Sequence, residues 1–306
     1  MPFNSHEQSY VDKLADLKVA ASWLASIGIR LSSTRIASYE RDIDLLKKAI
    51  AANDISSFVE SDAGLRIANS FFEASQLIDL HKGLSGIPVT RGLLTRLKKL
   101  ARGPVASSLE KPDGVSHQPR DFGFELFMAS LFTQADFEID LDQNTDLIAN
   151  QSEKFFLVEC KRPRHVRSLS PSIKAAVTQL KARLDKIPVQ QNQFGLVAIS
   201  LDLVIHGKHN LVIVPDRRAI EVSLKGSVRS VVDSNDSTAL EFNHPRILGA
   251  LFVVQLSALL LDSFRLTRCG YLLGFNTVGI DTPQGSIFRN VVDQLGPAIF
   301  KMQNAR

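Results

Sequence analysis

Two carboxylates and a lysine lie close together in a segment that the sequence predicts to be buried. Asp146 stands at the start of one short apolar segment, and Glu159 and Lys161 end the next one. The polar residues 151–154 between the two segments are typical of a hairpin turn. With that turn, Asp146 lies directly opposite Glu159. The sequence therefore predicts that these three charged groups meet at one end of a β-hairpin.

Side chains alternate across a strand, and both faces of the second strand of this hairpin are apolar. One face carries Phe155, Leu157, Glu159 and Lys161, and the other carries Phe156, Val158 and Cys160. An uncompensated buried charge costs on the order of several kcal/mol, and two facing carboxylates repel each other. A divalent ion relieves both problems, and carboxylate oxygens suit Mg²⁺. On this reasoning Glu159→Gln relieves repulsion, so that the metal-free protein keeps or gains stability.

Glu125 adds a third carboxylate upstream of the hairpin. It is the only acidic residue within the apolar stretch 122–132, which has the character of a buried helix. A carboxylate in such a helix needs a partner, because burial without one is costly. The metal site, or a lysine close to it, is expected to supply that partner.

Together these residues resemble the PD-(D/E)xK nuclease superfamily, which has the restriction-endonuclease-like fold. The resemblance is carried by Glu125, by Thr145-Asp146 and by Glu159-Cys160-Lys161, and it covers roughly residues 117 to 215. That family places an acid on the first core helix, an aspartate at the start of one strand and an (E/D)xK triplet on the next. Thr145 replaces the family's proline. Gln179 fits the Q-x-x-x-Y motif of many members, but Arg183 stands where the tyrosine would be.

The resemblance implies a role for each residue of the site in a Mg²⁺-dependent endodeoxyribonuclease, with Mn²⁺ as a substitute ion. Asp146 and Glu159 would bind the metal, with the backbone carbonyl of Cys160 as an additional ligand and Glu125 holding the ion or its waters. Lys161 would orient or deprotonate the attacking water and stabilise the phosphate. Restriction, defence and repair are the settings it suggests, and a homodimer is one means of cutting both strands.

A basic loop follows the triplet directly. Arg162, Arg164 and Arg167 could hold a phosphate backbone, or they could form an ordinary solvated loop, and the sequence does not separate these alternatives. Gln179 joins the expected nucleic-acid contacts on the resemblance alone. DNA is the expected partner, and the net charge of +4 permits a polyanion without demanding one.

The elements that must position these residues fall into two parts. Helical periodicity predicts helices over Tyr10–Leu24, from Ser32-Ser33 to Ile50, over Leu65–His81 and over Leu93–Ala101. This all-helical N-terminal module, residues 1–104, carries no chemical motif and is expected to be a scaffold or a partner-binding module. Residues 103–119 contain three prolines, two glycines and three serines, and within them residues 105–119 are predicted to be a linker.

Residues 120–306 are predicted to form the nuclease-like domain. Helices are expected over Asp121–Gln134, over Pro171–Lys186 with Ser170 as N-cap, over the apolar run Ile247–Leu261 and at the C-terminus; strands are expected over Phe137–Leu141, Thr145–Ala149, Phe155–Lys161, Phe194–Ile205, Leu211–Val214 and Tyr271–Ile280. This pattern predicts an α/β fold, a sheet with helices on its faces. The resemblance makes that sheet a mixed central one.

Composition excludes several other classes. The chain of 306 residues is 44% hydrophobic and 22% charged, which rules out a mostly disordered protein. Two cysteines exclude a disulfide scaffold and fit a reducing compartment, so we expect a cytoplasmic protein without a membrane span. Phosphate-binding P-loops, dinucleotide-binding glycine motifs, lipase-type nucleophile elbows and zinc-protease motifs are absent from the sequence. Two alternatives stay open: a catalytically silent nucleic-acid or protein-binding module with the nuclease fold, and an interaction protein in which the hairpin pattern arises by chance.

Overall fold

The computed structural model describes residues 4–6, 10–32, 34–51, 62–102, 118–188, 192–207, 211–234, 242, 244–262, 265–276, 279 and 281–304. Most of the predicted linker 105–119 lies outside these residues. Within them, no helix is long and apolar enough to cross a membrane.

The N-terminal part is a set of helices preceded by one short strand. Its elements are β1 (Asn4–His6), α1 (Tyr10–Ser26), α2 (Ile36–Ala51), α3 (Asp62–Leu84) and α4 (Arg91–Leu100). All four helices occur where the periodicity predicts them. Helix α4 begins after Thr90, whose hydroxyl accepts a hydrogen bond from the Leu93 N–H at 3.3 Å.

The remainder of the chain alternates strands and helices. In chain order the elements are α5 (Gln118–Gln134), β2 (Glu138–Asp140), β3 (Leu147–Gln151), β4 (Lys154–Lys161), α6 (Val166–Leu184), β5 (Gln193–Ser200), α7 (Asp202–His206), β6 (Leu211–Val214), α8 (Arg217–Ser234), β7 (Ile247–Leu260), β8 (Arg265–Phe275) and α9 (Pro283–Asn304).

The described strands form one eight-stranded sheet in the order β1-β8-β7-β5-β4-β3-β2, with β6 pairing the second half of β7. Strand β5 is parallel to both β4 and β7, and the pairs β2–β3, β3–β4, β7–β8 and β1–β8 are antiparallel. The predicted α/β class with a mixed sheet is therefore confirmed. The hairpin register is also confirmed, since Ala149 pairs with Phe156 and Ile148 pairs with Leu157.

The prediction of a buried helix over Ile247–Leu261 is wrong, because Ile247–Leu260 is strand β7. Every residue of this strand is buried. A central strand that is covered on both faces has the same continuous apolar sequence as a buried helix, so periodicity cannot separate the two. The long apolar run therefore forms an interior strand of the sheet.

The start of helix α6 also differs from the prediction. The helix begins at Val166, and the His165 N–H donates to the Ser168 hydroxyl at 3.2 Å, so Ser170 is not the N-cap. Pro171 lies inside the helix. Strand β5 ends at Ser200, short of the predicted Ile205, and helix α8 has no counterpart among the predicted elements.

The core lies in two layers, one on each face of the sheet. The first contains buried residues of α1 to α5 and α9 together with the sheet face that carries Phe156 and Val158. The second lies beneath α6 and α8, on the face that carries Leu157. The N-terminal helices thus share one hydrophobic core with the α/β part, and helix α4 can contribute side chains to sites at the end of β4.

Candidate active site

A cleft of about 500 Å³ opens at the end of β4, where α5 passes the N-terminus of α6; we call it the carboxylate cleft. It brings together Glu125, Asp146 and Lys161, which the sequence singled out on three separate elements. Its lining residues are Asp121, Phe124, Glu125, Asp146, Cys160, Lys161, Arg162, Pro163, Arg164, His165, Ser168 and Ser172.

Asp146 lies just before β3 and is held against the backbone of β4. Its Oδ2 accepts a hydrogen bond from the Cys160 N–H at 2.8 Å, and the Lys161 Nζ is 3.9 Å from the same oxygen. Burial raises the pKa of the Asp146 carboxyl, the negative charge of Glu159 raises it further, and the Cys160 N–H opposes both effects. The Asp146 carboxylate therefore lies in a partly dry site with excess negative charge.

Glu125 projects from α5 into the same cleft, and its partner is an arginine from the N-terminal helices. Its Oε2 accepts a hydrogen bond from the Nε of Arg96 at 2.7 Å. Burial, followed by the negative charge of Asp146, raises the pKa of Glu125 to about 7, although Arg96 opposes the shift. The charge of Asp146 therefore destabilises the charged form of Glu125.

Arg96 is the residue at this cleft that the sequence does not single out. It lies on a short amphipathic helix that also carries Lys98 and Lys99, and nothing in that pattern distinguishes one basic residue from another. The only available indication was the unpaired Glu125, which required a cation from some other element.

Glu159 is buried as predicted, and its carboxylate is fully engaged by neighbouring side chains. The Thr145 hydroxyl donates to its Oε1 at 3.0 Å, where the Nη1 of Arg183 also binds, and the Lys161 Nζ donates to its Oε2 at 3.2 Å. The Glu159 side chain is only 2% exposed, and it does not line the carboxylate cleft. Two cations therefore neutralise this carboxylate in the metal-free protein.

Arg183 contacts Glu159 from outside the carboxylate cleft. It lines a second cleft of about 560 Å³ that lies over the β3–β4 hairpin. Thr145, Phe155 and Arg183 are among its lining residues. Arg183 occupies the position that the resemblance assigns to a tyrosine. This departure from the family motif thus introduces a positive charge against the glutamate of the triplet.

The basic loop is only partly brought to the cleft. Arg162 lines the cleft, but its side chain is 6% exposed and lies 3.8 Å from the Asp121 carboxylate. Arg164 is half-buried and also lines the cleft. Arg167 and Gln179 are exposed and do not line it. Of the four predicted nucleic-acid contacts, the structure therefore places Arg162 and Arg164 at the site, with Arg162 held in an ion pair.

The N-terminus of α6 adds a further positive element to the rim. Ser168 and Ser172, from the first two turns of this helix, line the cleft. Free backbone N–H groups and the helix dipole favour an anion at such an end. The cleft thus combines the Glu125 and Asp146 carboxylates with basic side chains and a helix N-terminus, which form an electropositive rim that favours an anion.

Fewer carboxylates line the cleft than the resemblance implies, because Glu125 and Asp146 line it and Glu159 does not. In the part of the chain that the structure describes, no group of three or more His, Cys, Asp or Glu side chains could hold a metal. Glu125 and Asp146 supply two carboxylates with raised pKa values in one cleft, and Mg²⁺ is commonly held by one or two carboxylates with waters and substrate phosphates. Glu125 and Asp146 are therefore the residues that could hold such an ion. The role of the Cys160 carbonyl stays a prediction, and the Cys160 side chain is buried with the pKa of its thiol raised by burial.

Comparison with known proteins found no matching family model, no matching curated protein and no matching solved structure. What the carboxylate cleft can do must therefore be inferred from its own geometry.

Proposed function

We propose that this protein is a metal-dependent endonuclease that hydrolyses phosphodiester bonds in DNA at the carboxylate cleft. The observation that carries the proposal is the convergence of Glu125, Asp146 and Lys161, from three separate elements, in one cleft with an electropositive rim. Burial and a neighbouring carboxylate raise the pKa of both Glu125 and Asp146, a cost that a bound divalent cation would relieve, and the rim favours a polyanion.

The order of elements supports a restriction-endonuclease-like core. Helix α5 carries Glu125, Asp146 immediately precedes β3, and the Glu159-Cys160-Lys161 triplet ends the neighbouring strand β4. This is the arrangement of acids and lysine that the resemblance implies. Helix α6 then crosses to β5, which lies parallel to β4.

In this proposal Asp146 and Glu125 hold Mg²⁺ or Mn²⁺, which when bound would activate water and offset charge on the phosphate. Lys161 lies 3.9 Å from Asp146 and 3.2 Å from Glu159, so its ammonium is fixed at the cleft floor, where it can orient the attacking water. Arg164 and the N-terminus of α6 hold the phosphate. Water adds to phosphorus as the bond to the leaving oxygen breaks, which yields a phosphomonoester and a hydroxyl.

A second candidate, a nucleic-acid-binding module without catalysis, is favoured by one observation. Glu159 is neutralised by Arg183 and Lys161 and is withdrawn from the cleft. If Glu159 must bind metal for turnover, this ion pair keeps the site silent. DNA binding would then persist without cleavage.

Cleavage of supercoiled and linear DNA by the purified protein, with Mg²⁺, Mn²⁺ or EDTA, tests the proposal. We expect nicking that requires the ion and falls at least ~100-fold in Asp146→Asn and Lys161→Ala, since both remove groups at the reacting phosphate. Lys181→Ala, which removes an exposed lysine of α6, serves as the matched control and should retain activity. Metal-independent cleavage, or cleavage that survives both substitutions, would contradict the proposal. DNA binding without cleavage would establish the second candidate.

A further inference from the structure

Arg96 joins helix α4 of the N-terminal part to the carboxylate cleft through hydrogen bonds to three different groups. The Nε of Arg96 donates to Glu125 at 2.7 Å, Nη1 donates to the Leu141 carbonyl at 2.6 Å, and Nη2 donates to the Asp146 carbonyl at 3.0 Å. One guanidinium thus binds the carboxylate of one proposed metal ligand and the backbone of the other.

The backbone of α4 also lies directly against the loop that leads to Asp146. The Gly92 N–H donates to the Asp142 carboxylate, and a Cβ at position 92 would lie 2.1 Å from the Leu141 carbonyl oxygen. Such a contact is far inside van der Waals distance, so only glycine allows the helix to approach this closely. The start of α4 is therefore packed tightly against the loop of residues 141–146 and hydrogen-bonded to it.

The Arg96 contacts lie in a partly dry environment. The side chains of Arg96 and Glu125 are 12% and 13% exposed, so water screens their interaction less than on the surface. A planar guanidinium presents donors in a fixed fork and can bind several acceptors at once, whereas an ammonium acts as a point charge. This position therefore requires arginine for geometry as well as for charge.

We propose that Arg96 is a positioning residue of the carboxylate cleft, which fixes the Glu125 carboxylate and the Asp146 backbone relative to each other so that both can bind one divalent ion. The inference rests on the proposed function and deepens it, because the N-terminal helices become part of the site. Residues that orient metal ligands typically contribute about 10–100-fold to metal affinity.

Isothermal titration of Mn²⁺ into the full chain without nucleic acid tests the inference. We expect at least ~10-fold weaker binding in Arg96→Gln, a smaller loss in Arg96→Lys, and no change in Lys98→Gln, which removes an exposed charge from the same helix. Gly92→Ala is expected to weaken binding without any change in charge, because it forces α4 away from the Leu141 carbonyl. Hydrogen exchange in EDTA should show faster exchange of residues 142–146 in Arg96→Gln than in the wild type.

The outcomes separate this inference from the proposed function. A wild type that binds Mn²⁺, with Arg96→Gln and Gly92→Ala that are folded and bind it equally well, would overturn the role of Arg96 and leave the nuclease proposal intact. A wild type that binds no Mn²⁺ would overturn both. Should Arg96→Gln fail to fold, the graded losses in Arg96→Lys and Gly92→Ala decide the question.

Discussion

Glu159→Gln is expected to destabilise the metal-free protein by about 2–3 kcal/mol. The wild-type carboxylate accepts charge-assisted hydrogen bonds from Lys161 and Arg183, each typically worth about 1.5–3 kcal/mol. Breaking a fully buried ion pair by removing one partner costs about 3–5 kcal/mol. Here the Lys161 and Arg183 side chains stay 23% and 29% exposed, so water recovers part of that cost. The glutamine keeps the shape of the side chain, which limits the change to electrostatics.

The assay is denaturant unfolding in EDTA at neutral pH, with thermal unfolding beside it. Because the entropy of unfolding is about 2 cal/mol/K per residue, the expected loss corresponds to a decrease in Tm of about 3–5 °C. The matched control is Glu221→Gln, which removes a partly exposed glutamate paired with Lys225 on α8 and should cost below about 0.5 kcal/mol. In a double-mutant cycle, Glu159→Gln and Arg183→Gln should show a coupling of at least about 1 kcal/mol.

Unchanged or increased stability of Glu159→Gln in EDTA would refute this reasoning. It would mean that repulsion from Asp146 outweighs the attraction of the two cations, which is what the sequence alone suggests for a vacant metal site. A loss of stability would instead establish that Arg183 and Lys161 neutralise Glu159 before any metal binds.

Two further predictions concern the packing of α3, the first against α1 and the second against α5. Burial lowers the pKa of Lys13, whose ammonium donates to Ser75 at 2.8 Å, to about 7 from 10.5. Between these pH values the unfolded chain binds a proton at Lys13 that the folded chain lacks. The free energy of unfolding should therefore rise by about 1.4 kcal/mol from pH 8 to pH 9 because of this lysine. Denaturant unfolding of Lys13→Met should lack that increment. Gly83→Ala should destabilise the protein by about 1–3 kcal/mol, because its Cβ would lie 2.0 Å from the Ser130 hydroxyl oxygen. Its control is Gly86→Ala, whose Cβ would have no atom within 4 Å and which should unfold at nearly the wild-type denaturant concentration. Equal pH dependence in Lys13→Met, or equal losses in the two alanine variants, would contradict these accounts.

The parts of the site that depend on local pattern could be predicted from the sequence. Strand alternation and the turn at residues 151–154 fixed the register of the hairpin, which placed Glu159 in the core. The single acid in an apolar helix identified Glu125 as a residue that needs a partner. Both inferences use only the spacing of residues within one or two adjacent elements.

The rest depends on contacts between elements distant in sequence. Arg96 reaches Glu125 across 29 positions and Arg183 reaches Glu159 across 24, and no local pattern encodes either pairing. The sequence predicts a helix at β7 because burial on both faces removes the periodicity that separates a strand from a helix. Long-range packing therefore decides both the longest interior strand of the sheet and the counter-charges of the site.

Anomalous diffraction from crystals soaked in Mn²⁺ tests the central claim most directly. We predict one Mn²⁺ ion in the carboxylate cleft, bonded to oxygen atoms of Glu125 and Asp146, with its remaining positions filled by water. The same soak of Asp146→Asn should show the ion lost or greatly reduced in occupancy. An ion bound elsewhere, or a cleft that stays free of Mn²⁺ at saturating concentration, would contradict the assignment of this cleft as a metal-dependent active site.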